Sequence, residues 1–248
     1  MKIGLVSVTF RNEDIPTVFE YAKKAGIDGI EWSVLENHVS EGDGEKCSLI
    51  KKLSSETGIE ILSLASYCYM DDFCECEKSL ETAILLSAPL IRIWAGRRGS
   101  AECSMEEYER IVENTTKMAR LAKEHSINLA FEYHPNTLTD EADSAVKLIK
   151  RIKLENVGLY WQIRPDLTPD ENRASLKKVK PYLLGNIHLS NLDAAKGYMP
   201  LDEIFSDLCA IFHGERIPDA DLLVEFVKGE APESLIADAS TIRKVFDK

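Results

Sequence analysis

The sequence lacks the long apolar run that a membrane protein needs. No stretch of its 248 residues approaches the roughly 18 consecutive apolar residues of a membrane-spanning helix, so we predict no membrane partner. The segment Met1–Phe10 is apolar but too short for the hydrophobic core of a secretory signal, and the polar residues Arg11, Asn12, Glu13 and Asp14 follow it at once. We therefore predict a cytoplasmic protein.

Positive charge is also scarce. The chain has 30 Lys and Arg residues against 42 Asp and Glu residues, which gives a formal net charge of −12 at pH 7. A surface that follows nucleic-acid phosphates is normally basic, so we predict no nucleic-acid partner. A local basic cleft on an acidic protein can still bind DNA, and the composition alone leaves that alternative open.

Paired cysteine motifs are missing as well. The six cysteines include Cys74 and Cys76, with Cys68 upstream, but no two of them have the CxxC spacing of structural zinc sites. Without a secretory signal, free thiols in a reducing compartment are the expected state. We therefore interpret the cysteines as free thiols and set a cysteine metal site aside.

What the chain does have is a regular alternation of short apolar runs and amphipathic segments. Its 44% hydrophobic and 29% charged residues are typical of a globular protein with a sizeable core. The apolar runs predict eight strands, at Ile3–Val8, Gly29–Trp32, Ile59–Ala65, Leu90–Trp94, Ile127–Tyr133, Val157–Trp161, Leu184–Leu189 and Leu222–Phe226. The segments between them predict helices, at Asp14–Ala25, Glu45–Thr57, Glu75–Ser87, Met105–His125, Thr139–Ile152, Pro169–Lys180, Leu201–Phe212 and Pro232–Phe246.

Strand-then-helix units predict parallel strands joined by helical crossovers. An open doubly wound sheet is the competing architecture, but it normally has a glycine-rich turn after its first strand, and the segment Thr9–Ile15 (TFRNEDI) contains no glycine. A (β/α)8 barrel typically takes about 250 residues, and no polar linker divides this chain. We therefore predict an α/β fold, a single (β/α)8 TIM barrel domain over residues 1–248.

The fifth strand carries the most informative local pattern. In NLAFEYHP, the large residues Leu129, Phe131 and Tyr133 alternate with Ala130 and Glu132. Alternation with a period of two places the carboxylate on the face opposite the large apolar groups. Because the carboxyl ends of barrel strands surround one mouth, this strand is predicted to deliver Glu132 to that mouth.

The next three strands end in the same way. Gln162, His188 and Glu225 each lie between apolar or aromatic neighbours, so all three are predicted to face the barrel axis together with Glu132. Two carboxylates, an imidazole and an amide form a suitable ligand set for a hard or borderline divalent cation. A structural alternative also exists, in which Glu132 pairs with Arg92 of the fourth strand.

Six segments spread over essentially the whole chain carry a further signal: GIDGIEW, LIRIWAGRRGS, LAFEYHPNTLTD, VGLYWQIRP, NIHLSN and LLVEF. In their order and spacing they resemble the xylose-isomerase-like TIM-barrel superfamily, in particular its sugar phosphate isomerase/epimerase group. The resemblance implies a divalent metal (Mn2+, Mg2+, Co2+ or Zn2+) held by ligands on strands five to eight. The positions that correspond to those ligands are Glu132, Gln162, His188 and Glu225.

The resemblance also implies an isomerase or epimerase that acts on a sugar or sugar-like polyol through an enediolate. Glu132 and Glu225 are the predicted catalytic acid and base, one removing a proton next to a carbonyl and one returning it. A homo-oligomer is possible, since relatives are often dimers or tetramers. The predicted substrate-binding residues are Glu31, Arg92, Trp94, His134 and Arg164, while Arg97 and Arg98 are candidates for a phosphate and His38 for a substrate contact.

Two positions depart from the family pattern. Family members generally have Asp where this chain has Gln162, and many have His where it has Asn186. The amide of Gln162 can ligate a hard cation but brings no charge, so metal affinity should be lower. The alternative function is therefore a catalytically impaired, sugar-binding barrel. The superfamily's abasic-site endonuclease branch is disfavoured, because its three-zinc cluster needs many His ligands and the chain has 5 histidines.

Overall fold

The computed structural model describes residues 1–215, 217 and 220–246, and its central feature is a closed barrel of parallel strands. The barrel strands are β1 (Ile3–Val6), β2 (Gly29–Ser33), β3 (Glu60–Ala65), β4 (Leu90–Ile93), β5 (Asn128–Phe131), β6 (Val157–Gln162), β7 (Leu183–Leu189) and β10 (Leu222–Val224), while β8 and β9 form a separate hairpin after β7. The barrel strands pair in the order β1-β10-β7-β6-β5-β4-β3-β2, and β2 closes the ring against β1. The predicted (β/α)8 barrel is thereby confirmed.

Helices between the strands form the outer layer, and their ends carry ordinary capping residues. Asp14 accepts a hydrogen bond from the Thr17 amide at the start of the first helix, and Gly26 ends that helix in the left-handed conformation. Thr168 and Glu171 form a capping box at the sixth. The helices are α1 (Ile15–Ala25), α2 (Gly44–Thr57), α3 (Phe73–Leu86), α4 (Met105–Glu124), α5 (Ala142–Ile152), α6 (Pro169–Val179), α7 (Phe205–Phe212) and α8 (Pro232–Phe246).

The main hydrophobic core lies between the strands and this helical layer. Trp32, Phe131 and Trp161 are fully buried there. They occupy the strand positions next to Glu31, Glu132 and Gln162. The large residues of each strand pack against the helical layer, so the polar residues that alternate with them point toward the barrel axis, as the sequence pattern predicts.

Some predicted boundaries are wrong, and the loop after β5 shows why. Helix α5 begins at Ala142 rather than Thr139. The Thr139 hydroxyl instead donates to the backbone carbonyl of Glu132, and the Thr137 hydroxyl donates to the carbonyl of His134. Threonine hydroxyls that bond nearby backbone compete with helix formation. These bonds fix the loop that follows the predicted catalytic residue Glu132.

An antiparallel hairpin that the sequence analysis missed follows β7. Its strands are β8 (Asn191–Asp193) and β9 (Gly197–Met199). Asp193 accepts hydrogen bonds from two backbone amides of the turn, and Gly197 has a φ of 78° that favours glycine. Strands of three residues are too short for a periodic signal, which explains the omission.

The cysteines also differ from expectation. Cys68 and Cys76 form a disulfide, which corrects the interpretation that all the cysteines are free thiols. Cys47, Cys74, Cys103 and Cys209 remain free. Among the helices of the described residues, none is both long enough and apolar enough to cross a membrane.

Asp238 of α8 offers a test of the packing between that helix and the turn at Leu201. One carboxylate oxygen accepts a hydrogen bond of 2.8 Å from the Leu201 amide, while the other is buried without a partner among the described residues. Burial, with a smaller contribution from Asp202, raises the pKa of the Asp238 carboxyl from 3.8 to about 6. The folded state therefore binds this proton more tightly than the unfolded state, and stability falls as the pH rises from about 4 to about 6.

We expect Asp238→Asn to raise the free energy of unfolding at pH 8 by up to about 3 kcal/mol, since one pKa unit corresponds to about 1.4 kcal/mol. At pH 4 the carboxyl is already protonated in the folded state, so the gain should be small. Urea unfolding at both pH values measures the difference. Glu233→Gln, which changes an exposed carboxylate on the same helix, is the control. An equal effect of Asp238→Asn at the two pH values would contradict the assignment.

Candidate metal and active site at the barrel mouth

Three of the four predicted metal ligands meet at the carboxyl ends of the strands. One donor atom from each of Glu132, His188 and Glu225 lies within 4.8 Å of the other two. His188 Nδ1 is 3.5 Å from Glu225 Oε2 and 3.9 Å from Glu132 Oε1. The backbone amides of Glu132 and Glu225 donate hydrogen bonds to the carbonyl oxygens of Ile93 and Leu189 on neighbouring strands. These bonds fix the backbone position from which each side chain extends. All three residues are buried.

Gln162 lies beside this cluster. It pairs in register with His188 across β6 and β7, and its side chain lines the same cavity as Glu132 and Glu225. It is less buried than the other three. The four side chains therefore lie around one mouth, and Gln162 is the neutral and least buried of them.

Glu31 lies deeper than the sequence analysis predicted. We expected it at the substrate, but its carboxylate is fully buried and does not line the cavity. Its Oε1 is 3.1 Å from His188 Nε2, which is the ring nitrogen on the edge of the imidazole that points away from Glu132 and Glu225. This corrects the predicted substrate contact: Glu31 is placed to fix the tautomer and orientation of His188.

Glu31 is held by three further polar groups that the sequence analysis did not assign to the site. Its Oε2 accepts hydrogen bonds from the Ser63 hydroxyl at 2.6 Å and the Tyr160 hydroxyl at 2.6 Å, with Asn186 Nδ2 at 3.4 Å. Tyr160 can cross the barrel interior because Gly185 leaves space, since a Cβ there would lie 2.1 Å from the tyrosine ring. The signal in the sequence was Asn186, which we noted only as a departure from the family pattern.

Arg92 forms the ion pair that the structural alternative predicted. Its Nη1 is 3.1 Å from Glu132 Oε2, and both side chains are about 95% buried. Burial opposes the charge, but Glu132, Glu31 and Glu225 outweigh it and raise the pKa of the Arg92 guanidinium. Arg92 also lines the mouth cavity. The arginine therefore provides the fixed positive charge beside the carboxylates.

The pKa values of these buried groups move in different directions. Burial opposes the charge of Glu31, but His188 and hydrogen bonds overcome it and lower the pKa of the Glu31 carboxyl to about 2. Burial likewise opposes the His188 cation, yet Glu225 and Glu31 raise the pKa of its imidazole to about 10. Burial raises the pKa of Glu132 in spite of Arg92, whereas the His188 charge overcomes burial and lowers the pKa of Glu225.

The donor set fits a divalent cation. His188 Nδ1 is buried and has no hydrogen-bond partner among residues 1–215, 217 and 220–246, because 3.5 Å to Glu225 is too long for a good bond. A cation in this position would replace the Nδ1 proton, while Glu31 keeps the opposite nitrogen as a donor. Glu132, His188 and Glu225 would hold it, with Gln162 as an additional amide ligand.

The cavity above the cluster has a volume of about 320 Å³. Four of the five predicted substrate-binding residues contribute to its lining, and the exception is Glu31: the lining includes Arg92, Trp94, His134 and Arg164. Arg164 is already paired with Asp166 at 2.6 Å, so its charge is partly compensated. A small polyol has room here.

Three other residues that the sequence analysis assigned to ligand contacts do not line the mouth cavity. Arg97 pairs with Asp71 and Glu75, and Arg98 pairs with Glu107, so neither predicted phosphate contact reaches the mouth cavity. His38 is fully buried against Trp32 rather than exposed to a substrate, and burial lowers the pKa of its imidazole to about 4. These placements correct the sequence-based assignments for Arg97, Arg98 and His38.

Comparison with known proteins identifies similar sequences. A family model described as Xylose isomerase-like TIM barrel matches residues 19–209. A 3-dehydroshikimate dehydratase from Bacillus anthracis is 27% identical over 162 residues, a match that covers 61% of this chain and 58% of that enzyme. The chain thus aligns with little more than half of the dehydratase.

Solved structures resemble the whole barrel. The IOLI protein with a bound zinc atom has a TM-score of 0.75 at 18% identity and covers 99% of this chain and 98% of its own. A D-psicose 3-epimerase solved in the presence of D-fructose has a TM-score of 0.70 at 19% identity, with 100% of both chains covered. At these identities the likeness shows the fold.

Proposed function

Because the chain belongs to the xylose isomerase-like TIM barrel family, we propose that it is a metal-dependent isomerase or epimerase of a sugar or sugar-like polyol. The observation that carries the proposal is the convergence of Glu132, His188 and Glu225, with an unpartnered imidazole nitrogen, below a cavity of suitable size. The epimerase among the similar structures and the zinc-containing IOLI protein support it. The reaction is transfer of a proton next to a carbonyl.

A cation held by Glu132, His188, Glu225 and Gln162 would supply Lewis-acid stabilisation of the negative charge that develops on the substrate oxygens. A carboxylate alone is too weak a base to remove such a proton from an unactivated ketone. Arg92 adds a fixed positive charge at the same place, because its guanidinium lines the cavity and contacts Glu132. The residues therefore stabilise the charge that proton removal creates.

Glu132 and Glu225 line the same cavity, so both carboxyl groups can reach a substrate bound there. Arg92 contacts Glu132 at 3.1 Å and makes its carboxylate the weaker base of the two. Glu225 is therefore assigned to remove the proton and Glu132 to return it. Their strands, β5 and β10, are not adjacent, and the carboxyl groups can therefore approach a substrate carbon from different sides.

The stereochemical outcome depends on where the proton returns. Return to the opposite face of the same carbon gives an epimer, and return to the neighbouring carbon gives an isomer. A second candidate reaction begins with the same proton removal and continues with loss of a hydroxyl group as water. The 27% identity to a 3-dehydroshikimate dehydratase favours this dehydration as the alternative.

A metal titration combined with proton exchange tests the proposed function. We expect the apoprotein to bind Mn2+, and the Mn2+-loaded protein to catalyse entry of solvent deuterium next to the carbonyl of a keto sugar in D2O. Chelation with EDTA should abolish the exchange, and restored Mn2+ should recover it. Calorimetry and proton NMR measure the two steps. Absence of metal binding would leave the impaired sugar-binding barrel as the better description.

Gln162 provides a sharper test of the ligand set. We expect Gln162→Asp to increase the affinity for Mn2+ roughly tenfold to a hundredfold, because ligand charge tunes the affinity of a hard cation. Gln162→Asn has the same length as the aspartate without its charge and is the matched control. Calorimetric titration of the three proteins measures the effect. Equal affinities in Gln162→Asp and Gln162→Asn would place residue 162 outside the ligand set.

A further inference from the structure

A second cavity lies on the outside of the barrel, where α4 and α5 meet the loops after β4 and β5. Its volume is about 490 Å³, which is larger than that of the mouth cavity and within the usual range of roughly 300–1,000 Å³ for ligand pockets. Among the described residues, none that lines this outer cavity also lines the mouth cavity. Its larger side chains include Met105, Tyr108, Leu138, Lys147, Lys150 and Arg151.

The charged residues of the outer cavity are mostly cations, although the protein as a whole is acidic. Its lining contains three cations, Lys147, Lys150 and Arg151, and one anion, Glu109, which together give a formal charge of +2. The whole chain carries −12. The cations are the charges nearest to a molecule bound in this cavity, so the site is expected to attract an anion.

Two of these cations are available to a ligand. Arg151 is paired, because its Nη2 is 2.8 Å from Glu109 Oε2. Lys147 and Lys150, by contrast, have no carboxylate partner within residues 1–215, 217 and 220–246, and each Nζ lies 5.5 to 5.8 Å from the centroid of a tyrosine ring. Both lysines are exposed, so their ammonium groups can turn toward a bound anion without breaking an ion pair.

The remaining wall combines apolar surface with one unsatisfied polar group. Leu138 is buried, and its backbone amide donates a hydrogen bond of 2.9 Å to the Ala95 carbonyl, so this part of the wall is fixed. Met105 exposes 71% of its surface. The Tyr108 hydroxyl is buried and has no hydrogen-bond partner among the described residues. A buried hydroxyl without a partner is unfavourable, so a ligand oxygen that accepts its hydrogen bond would be stabilised there.

We propose that the outer cavity is a second binding site, which takes a small organic phosphate monoester with an apolar body. A phosphate monoester carries a charge of about −1.5 to −2 at neutral pH, which matches the formal charge of the lining. Its oxygens accept charge-assisted hydrogen bonds from Lys147 and Lys150 and a hydrogen bond from Tyr108, while its apolar body packs against Leu138 and Met105. The site is independent of the reaction proposed for the mouth.

A second copy of the chain is a less suitable occupant of this surface. In a two-fold symmetric dimer the same patch meets itself, so Lys147, Lys150 and Arg151 would approach their own equivalents. Juxtaposed like charges are unfavourable at an interface. Sedimentation velocity tests this occupant with Met105→Lys, which adds a further positive charge to the patch. We expect the variant to sediment like the wild type, whereas dissociation of a wild-type oligomer by this variant would overturn the proposal.

Calorimetric titration of the metal-free protein with phenyl phosphate tests the site directly. EDTA keeps Mn2+ away from the mouth, where a metal would itself bind phosphate. We expect one saturable site, with a Kd at least about tenfold lower than that of inorganic phosphate, which lacks the apolar body, or of phenol, which lacks the charge. Added salt should weaken the binding. No saturable binding of phenyl phosphate, or an equal affinity for inorganic phosphate, would overturn the proposal.

Substitutions in the outer cavity show whether the phosphate binds there. Lys147→Met and Lys150→Met should each weaken phenyl phosphate binding by roughly five- to tenfold, because each removes a charge-assisted hydrogen bond and keeps the length of the side chain. Tyr108→Phe keeps the ring and should cause a smaller loss. Lys123→Met, an exposed position in the last turn of α4 outside the cavity, is the matched control and should bind like the wild type. Wild-type affinity in both Lys147→Met and Lys150→Met would locate the phosphate elsewhere and overturn the proposal.

Discussion

Replacing Glu225 by Gln should slow the entry of solvent deuterium into a keto substrate by roughly 10²- to 10⁴-fold, the usual contribution of a positioned acid or base. Glu225 is buried at the barrel mouth, with its Oε2 3.5 Å from His188 Nδ1, and it is the proposed base. Glutamine has nearly the same shape but cannot accept the proton. Proton NMR of the substrate in D2O measures the exchange whatever the product.

The control for this substitution is Glu233→Gln, which removes an exposed carboxylate from the first turn of α8. We expect it to exchange deuterium at the wild-type rate. Thermal unfolding of both variants checks that the fold is intact. Exchange retained in a folded Glu225→Gln protein with Mn2+ bound would contradict the role of Glu225 as base.

Replacing Glu31 by Gln should lower Mn2+ affinity by roughly 10- to 100-fold, although Glu31 does not touch the proposed metal position. Glu31 receives hydrogen bonds or close contacts from the donors Ser63, Tyr160, Asn186 and His188. An amide has one acceptor oxygen, so at least one donor would face its NH2 group. His188 would then lose the partner that holds Nδ1 toward Glu132 and Glu225. Calorimetric titration measures the affinity.

Two further variants provide comparisons for the Mn2+ affinity of Glu31→Gln. Tyr160→Phe removes one of the donors but leaves the carboxylate and its contact with His188, so its loss of affinity should be smaller. Glu36→Gln changes an exposed carboxylate in the loop after β2 and should have no effect. Affinity in Glu31→Gln equal to that of the wild type would show that other contacts orient His188.

Sequence reasoning predicted the barrel and the residues around its mouth, and it failed in the layer beneath. Alternation with a period of two shows that Glu31 faces inward, but it does not give depth along the axis. A register shift between Ile30 and Glu31 aligns Glu31 with Ser63, two residues before the end of β3, so the carboxylate lies below the mouth. Neither the register between strands nor the depth along the barrel axis can be derived from the sequence of a single strand.

Contacts between distant parts of the chain were also beyond the sequence. Tyr160 and Glu31 are 129 residues apart in the sequence, and their contact depends on the space that the absent side chain of Gly185 leaves for the tyrosine ring. Nothing in the β6 segment alone distinguishes Tyr160 from an ordinary apolar strand residue. The hairpin that carries Tyr198 had no periodic signal. By contrast, Glu132, His188 and Glu225 were recognisable because parallel strands bring their carboxyl ends to one edge.

The ion pair between Arg92 and Glu132 has a consequence for the electroneutrality of the buried centre. Glu31, Glu132 and Glu225 bring three carboxylates, and Arg92 compensates one of them. With His188 neutral and Gln162 uncharged, a bound dication would balance the remainder. Aspartate at position 162 would leave one negative charge in excess, which disfavours an anionic transition state. We therefore expect Gln162→Asp to bind metal more tightly and to turn over more slowly.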